Sequence, residues 1–280
     1  MRESSNPVFR SLPKNEGGYA QFGTGVAGAT QVGYQTDQYA PYTTPQSGVS
    51  RPLTIDDVVT KTGITLGVLS VVAVLSYFLV SANLALAMPL TVVGGLGGLV
   101  LVLIATFGRK QDSPVIVLSY AALEGLFLGA ISFVLANLYV SGASAGALIG
   151  QAILGTVGVF VGMLIVYKTG AIRVTPKFTR MMVAGMVGVL VLMLGNMVMS
   201  MFGSHDGGPL RNGGTLAIIF SLVCIALAAF SFLIDFDAAD QMIRAGAPEK
   251  AAWGIALGLT VTLVWLYLEM LRLLSYFQNR

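Results

Sequence analysis

The sequence predicts an all-α fold: a polytopic membrane protein with a seven-transmembrane-helix bundle and a disordered N-terminal tail. Three observations support this prediction. Seven apolar stretches follow one another between Val58 and Phe277. Hydrophobic residues make up 55% of the chain and charged residues 10%, and the mean hydropathy of +0.79 is well above that of soluble domains. The first 50 residues, by contrast, contain no long apolar stretch.

Residues 1–50 are predicted to form a disordered cytoplasmic tail, and residues 51–280 the transmembrane domain. Between residues 15 and 50 the chain is rich in Gly, Gln, Thr, Tyr and Pro and shows no hydrophobic period. A segment of this composition buries too little apolar surface to offset the conformational entropy lost on ordering. The first thirty residues also lack the apolar core of a signal peptide.

The apolar stretches are long enough to cross a bilayer as helices, since about 20 residues at 1.5 Å each span the ~30 Å hydrocarbon core. Thr54 and Asp57 form a capping-box pattern, so the first span is predicted to start there and to end near residue 81. The other spans are predicted at residues 88–107, 114–139, 145–167, 178–202, 215–234 and 251–277.

Several glycines recur three or four residues apart within these spans, which predicts close approach of helix backbones. They include Gly94 and Gly98, Gly125 and Gly129, Gly155, Gly158 and Gly162, and Gly254 and Gly258.

Basic residues are unevenly divided between the two sets of loops. One set contains Arg51, Lys61, Arg109, Lys110, Lys168, Arg173, Lys177, Arg180, Arg244 and Lys250, and the other contains Arg211, with Arg272 and Arg280 near the far end. Lys and Arg favour the cytoplasmic side, so the N-terminus is predicted to be cytoplasmic and, after seven crossings, the C-terminus to lie outside. A re-entrant last segment would return the C-terminus to the cytoplasm. The membrane is expected to be the cell inner (plasma) membrane.

Composition also bears on the function classes. The net charge of +3 comes from residues scattered over loops and not from one basic stripe, so nucleic acid is not an expected partner. The single cysteine, Cys224, allows no intramolecular disulfide. No HExxH, GxSxG, Walker or dinucleotide motif is present, and His205 has no second histidine near it. The chain is therefore expected not to be an enzyme and to hold no cofactor or metal site. Its oligomeric state is left open.

Three carboxylates, Glu124, Asp235 and Glu269, lie inside or at the edge of the apolar stretches. A charge in hydrocarbon costs at least ~2.5 kcal/mol, so each needs a partner, a proton or a water-filled cavity. These residues are the first candidates for a functional site. Glu124 is ten residues into the third span, about 15 Å deep and close to the bilayer midplane. It either contributes to an ion pathway close to Asp235 or, when protonated, hydrogen-bonds to a neighbouring helix as structural glue.

The segment LIDFDAADQ places Asp235, Asp237 and Asp240 at the cytoplasmic end of the sixth helix. An intramembrane role is predicted for Asp235, which directly follows the apolar stretch. Repulsion between neighbouring carboxylates makes Asp237 a second candidate for pH sensing. Asp240 is interpreted as part of a solvated helix end. Glu269 precedes Arg272 by three residues, so an ion pair within the seventh helix is the favoured interpretation.

Three segments together resemble the Bax inhibitor-1 family of membrane proteins, in its bacterial branch. They are YAALEGLFLGAISF in the third helix, LIDFDAADQMIRAGAPEKAAW after the sixth, and VTLVWLYLEMLRLL in the seventh, and the resemblance covers about residues 55–277. It implies a seven-helix bundle with a central last helix. It also implies a pH-sensitive calcium leak controlled by paired aspartates of the sixth and seventh helices, with calcium as the permeant ion. A rival implication is a non-transporting regulator, since some bacterial members bind a membrane-anchored AAA protease.

In this resemblance Asp235 matches the family aspartate of the sixth helix, and Glu124 an acidic position of the third. WLYLE is similar to the family's LYLD, which nominates Glu269 as the second carboxylate. Glu269, however, is twenty-one residues beyond Pro248, or ~30 Å along a helix. At the depth of Asp235 the seventh helix carries two threonines instead. The partner of Asp235 is therefore left open among Thr260, Thr262, Asp237, Glu124 and a cytoplasmic arginine.

Overall fold

The computed structural model describes residues 51–137, 145–202 and 208–278. These residues form seven long helices and one short 3₁₀ turn, Leu84–Leu86. The helices are α1 (Ile55–Ala82), α2 (Ala87–Phe107), α3 (Pro114–Asn137), α4 (Ala145–Thr169), α5 (Pro176–Phe202), α6 (Thr215–Arg244) and α7 (Ala251–Gln278). All seven are long and apolar enough to span a membrane. The chain is a multi-pass membrane protein in a lipid bilayer, as predicted. The predicted tail, residues 1–50, lies outside the described residues.

The start of α1 is set by the predicted capping box. The Thr54 hydroxyl accepts a hydrogen bond from the backbone N–H of Asp57, and the Asp57 carboxylate accepts one from the backbone N–H of Thr54. Two free backbone donors at the helix start are thereby satisfied. The sixth helix extends ten residues past the predicted end of its apolar stretch, so that the whole acidic segment is helical.

The last helix lies at the centre of the bundle, as the resemblance implied. Helix α7 packs against α1, α3, α4 and α6. The largest buried apolar cluster joins α6 and α7 around Phe232 and Leu266. Helices α2, α4 and α5 instead present many large apolar side chains at the surface, as lipid-facing helices do.

Two of the predicted glycine pairs mediate close helix packing. A Cβ added at Gly94 would lie 2.6 Å from the Leu123 carbonyl oxygen of α3, and one at Gly125 would lie 2.7 Å from the Leu69 carbonyl oxygen of α1. The prediction is wrong for Gly158, Gly162 and Gly258, because added Cβ atoms there would meet nothing within 4 Å. Spacing alone does not show which face of a helix meets a neighbour.

Residues 51–53 cross the end of the bundle and pair with the α6–α7 loop. The Leu53 N–H donates to the Ala247 carbonyl oxygen at 2.8 Å, and the Glu249 N–H donates to the Arg51 carbonyl oxygen at 2.9 Å. The Lys61 ammonium lies 3.0 Å from the Glu249 carboxylate. Leu53 is buried in the α6–α7 cluster. These contacts define what we call the Arg51 end of the bundle.

Candidate functional site

The principal candidate site is a contact between α6 and α7. Thr262 Oγ1 donates a hydrogen bond of 2.7 Å to Asp235 Oδ2, and the Gly258 carbonyl oxygen lies 3.2 Å from the same hydroxyl. Asp235 is nine residues before the end of α6 at Arg244, about 13 Å along the helix. A carboxylate on one helix thus contacts a hydroxyl on its neighbour inside the membrane-spanning region.

Only one of the two oxygens of the Asp235 carboxylate takes part in this contact. Among the described residues, Oδ1 has neither a hydrogen-bond donor nor a cation as partner, and Asp235 as a whole is half-buried. The half-buried Gly258, one turn before Thr262, borders open space. Open space at Gly258 therefore lies one helical turn along α7 from the residue that contacts Asp235.

The structure shows which of the candidate partners of Asp235 is in contact with it. Thr262 is in contact, whereas the Thr260 hydroxyl donates to the Ala256 carbonyl oxygen at 2.7 Å within its own helix. Asp237 is two residues from Asp235 and so lies on a different helix face. Its carboxylate accepts a hydrogen bond of 2.6 Å from Gln241 Nε2. No arginine within the described ranges pairs with Asp235.

Asp240 is the acidic residue of this segment that lies closest to the end of α6. Asp240 pairs with Arg244 at 2.8 Å, with the arginine largely exposed, and the Tyr167 hydroxyl donates to Asp240 at 3.4 Å. An exposed pair one helical turn apart contributes about 0.3–0.5 kcal/mol. These contacts agree with the interpretation of Asp240 as part of a solvated helix end.

Glu124 lies at a different interface, between α3 and α2. Its side chain is 9% exposed and fills the space that Gly98 leaves, since a Cβ there would lie 2.5 Å from Glu124 Oε2. Tyr120 is adjacent and buried. In the part of the chain that the structure describes, the carboxylate has no hydrogen-bond or ion-pair partner. The expected interhelical hydrogen bond is therefore missing, and within the described residues neither a hydrogen bond nor an ion pair joins Glu124 to Asp235.

Glu269 is the most buried charged residue in the described part of the bundle. It is 1% exposed and pairs with Arg272 Nη1 at 2.8 Å, which confirms the predicted ion pair. Its second partner is not predicted from the sequence. Arg211, from the α5–α6 loop, donates from Nη2 to Oε1 at 3.1 Å and from Nη1 to Oε2 at 3.3 Å. The only sequence signal was an isolated arginine in a loop otherwise poor in basic residues.

The carboxylates thus fall into separate environments, and they do not form a metal cage. Within the three described ranges, no group of three His, Cys, Asp or Glu side chains is close enough to hold a metal ion. A Ca²⁺ ion prefers six to eight oxygen ligands. A cation at Asp235 would therefore be held weakly by one carboxylate together with hydroxyl, carbonyl or water oxygens.

A comparison with protein families confirms the resemblance that the three sequence segments indicate. A family model described as Bax inhibitor 1 like matches residues 6–279, nearly the whole chain. The chain belongs to the Bax inhibitor 1 like family. A comparison with individually curated proteins gives no match.

The Asp235–Thr262 contact joins the two helices for which the resemblance implied a pair of carboxylates. The resemblance implied two paired aspartates between the sixth and seventh helices. In this Bax inhibitor 1 like chain, the contact has one carboxylate and one hydroxyl. The second carboxylate proposed from WLYLE, Glu269, is seven residues further along α7, about 10 Å away by helix rise, and belongs to the arginine cluster.

Proposed function

We propose that this protein is a pH-sensitive cation leak of the membrane, with calcium as the permeant ion and with the Asp235–Thr262 contact as the element that holds α6 and α7 together in the closed state. A single observation carries the proposal. A half-buried carboxylate inside a spanning helix is bonded through one oxygen to the neighbouring helix and, among the described residues, has no partner at its other oxygen.

The same residue can serve both for ion attraction and for pH sensing. A charged Asp235 accepts a charge-assisted hydrogen bond from Thr262, and such bonds are about twice as strong as neutral ones. Protonation removes the charge and weakens the contact, so α6 and α7 separate more readily. We therefore expect cation flux to rise on acidification.

Flux measured in liposomes tests this proposal directly. Purified protein is reconstituted, and Ca²⁺ entry is followed with an enclosed dye across a series of pH values. Asp235→Asn cannot ionise and resembles the protonated form. It should give the acid-level flux at every pH. Asp240→Asn removes a carboxylate from the same helix end without touching Thr262, and it should keep the wild-type profile.

Thr262→Val separates the hydrogen bond from the charge. Valine has nearly the same shape but cannot donate to Asp235. A hydrogen bond to a charged group contributes ~1.5–3 kcal/mol, so the closed state should lose about 10- to 100-fold in population if the bond exists only there. Flux at neutral pH should rise accordingly. A wild-type pH profile in Asp235→Asn would exclude Asp235 as the sensor.

We also propose that the Arg51 end faces the cytoplasm of a bacterial cell and that the protein lies in its inner membrane. The support is the excess of Lys and Arg in the loops of that end. Glu124 and Asp237 remain predicted contributors to the pathway, and Glu124→Gln tests the first. If the wild-type protein passes no cations at any pH, the leak proposal fails and the non-transporting role, regulation of a membrane-anchored protease, takes its place.

A further inference from the structure

The opposite end of the bundle contains a charge cluster that the proposed leak does not use. Arg211 and Arg272 share one carboxylate, that of Glu269. Their side chains are 19% and 22% exposed, and that of Glu269 is 2% exposed. Two guanidinium groups and one carboxylate leave a formal charge of +1. No other carboxylate in the described residues forms an ion pair with either arginine.

A positive charge held inside a membrane protein attracts an anion. Charged groups in this environment pair with one another or with a ligand, because the low-dielectric surroundings solvate them poorly. Arg211 uses two of its five N–H donors for Glu269, one on each terminal nitrogen. The remaining donors of this planar group are suited to bidentate binding of phosphate or carboxylate.

A cavity of about 250 Å³ lies directly beside Arg211, between α5 and the start of α6. Its polar lining comes from Arg211, Asn196 and Ser200, and its apolar lining includes Met197, Leu210 and Phe220. The Arg211 guanidinium also lies 5.3 Å from the centre of the Phe220 ring, which holds it at the cavity wall.

The chemistry of the cavity suits a phosphate group attached to an apolar chain. Arg211 is four residues before the first residue of α6, Thr215, so it lies where a spanning helix meets the lipid headgroups. Met197 is exposed on the lipid-facing side of α5. A lipid phosphate is present at this depth and an acyl chain can run along the apolar wall. We propose that this cavity binds a phosphate group at Arg211, supplied either by an anionic lipid headgroup or by free phosphate.

Two variants and one matched control test the site. Arg211→Gln removes a guanidinium group that lines the cavity and leaves Glu269 paired with Arg272. Ser200→Glu puts a carboxylate into the cavity without touching the ion pairs, so it tests the site even if Arg211→Gln fails to fold. Arg180→Gln removes an exposed arginine from the first turns of α5, at the other end of that helix, and controls for general loss of positive charge.

The measurements use delipidated full-length protein in neutral detergent. Phosphatidylglycerol is titrated in, and bound lipid is counted by native mass spectrometry. The thermal unfolding midpoint is followed in parallel. A second series uses inorganic phosphate without lipid. We expect Arg211→Gln and Ser200→Glu to weaken phosphatidylglycerol binding by about 10-fold or more and Arg180→Gln to leave it unchanged.

The two series distinguish the source of the phosphate. Stabilisation by phosphatidylglycerol alone that is lost in both variants identifies a lipid site. Stabilisation by inorganic phosphate that is lost in both variants identifies a site for the free anion. Equal binding by wild type, Arg211→Gln and Ser200→Glu in both series would overturn the proposal, and so would an equal loss in Arg180→Gln. None of these results depends on cation flux.

Discussion

Replacing Gly129 with alanine should strongly destabilise the bundle. This glycine lies where α3 meets α1, the most extensive helix contact in the described structure. An added Cβ would overlap the Ala73 carbonyl oxygen and would lie 2.6 Å from Ser76 Cβ and 2.8 Å from the Tyr77 backbone nitrogen. Because two of these are backbone atoms and the third is a Cβ, no side-chain rotation relieves the overlap. The two helices must move apart.

The expected cost can be worked out from this geometry. Overpacking of this kind costs ~1–3 kcal/mol. Separation of the helices also strains the hydrogen bond of 2.7 Å from the Ser76 hydroxyl to the Leu126 carbonyl oxygen. That bond contributes about 1 kcal/mol. Alanine regains ~1 kcal/mol of helix propensity. Gly158→Ala has the same propensity gain without any overlap, since its Cβ would meet nothing within 4 Å.

The two glycine variants therefore form a matched pair. The free energy of unfolding of Gly129→Ala should be lower than that of Gly158→Ala by about 2–4 kcal/mol. The assay is reversible unfolding of the purified proteins in mixed detergent micelles, followed by tryptophan fluorescence. Equal stabilities would show that α1 and α3 do not pack closely at Gly129.

Two further predictions concern the ends of the bundle. Glu269→Gln should lower the free energy of unfolding by about 3–5 kcal/mol, since it leaves two poorly solvated arginines without their shared carboxylate; a change below 1 kcal/mol in the same assay would contradict the burial of this group. A deletion of residues 1–50 should leave the thermal unfolding midpoint unchanged. A deletion of residues 1–54 should lower that midpoint. The longer deletion removes the ion pairs of Arg51 with Asp57 and Glu249, the packing of Leu53 and the N-terminal cap of α1. Equal midpoints for the two deletions would show that the pairing of residues 51–53 with the α6–α7 loop contributes nothing.

The sequence was sufficient for properties that depend on neighbouring residues in the chain. Seven spans follow from the length and hydropathy of single stretches. The cap of α1 follows from Thr54 and Asp57, three residues apart. The ion pair between Glu269 and Arg272 also joins residues three apart on one helix. Helical geometry alone brings these groups together, so no knowledge of the neighbouring helices is needed.

Contacts between side chains of different helices could be identified only from the tertiary structure. In the sequence, Thr262 is one of several candidate partners of Asp235, and nothing indicates that Arg211 pairs with Glu269. The sequence predicts Glu124 close to Asp235, whereas in the structure its carboxylate lies against α2. Each of these contacts depends on the rotation of a helix about its own axis. In a soluble helix, an apolar stripe indicates this rotation. Spans that are apolar all round have no such stripe, because lipid and protein interior are similarly apolar, so only the packed bundle decides which side chains meet.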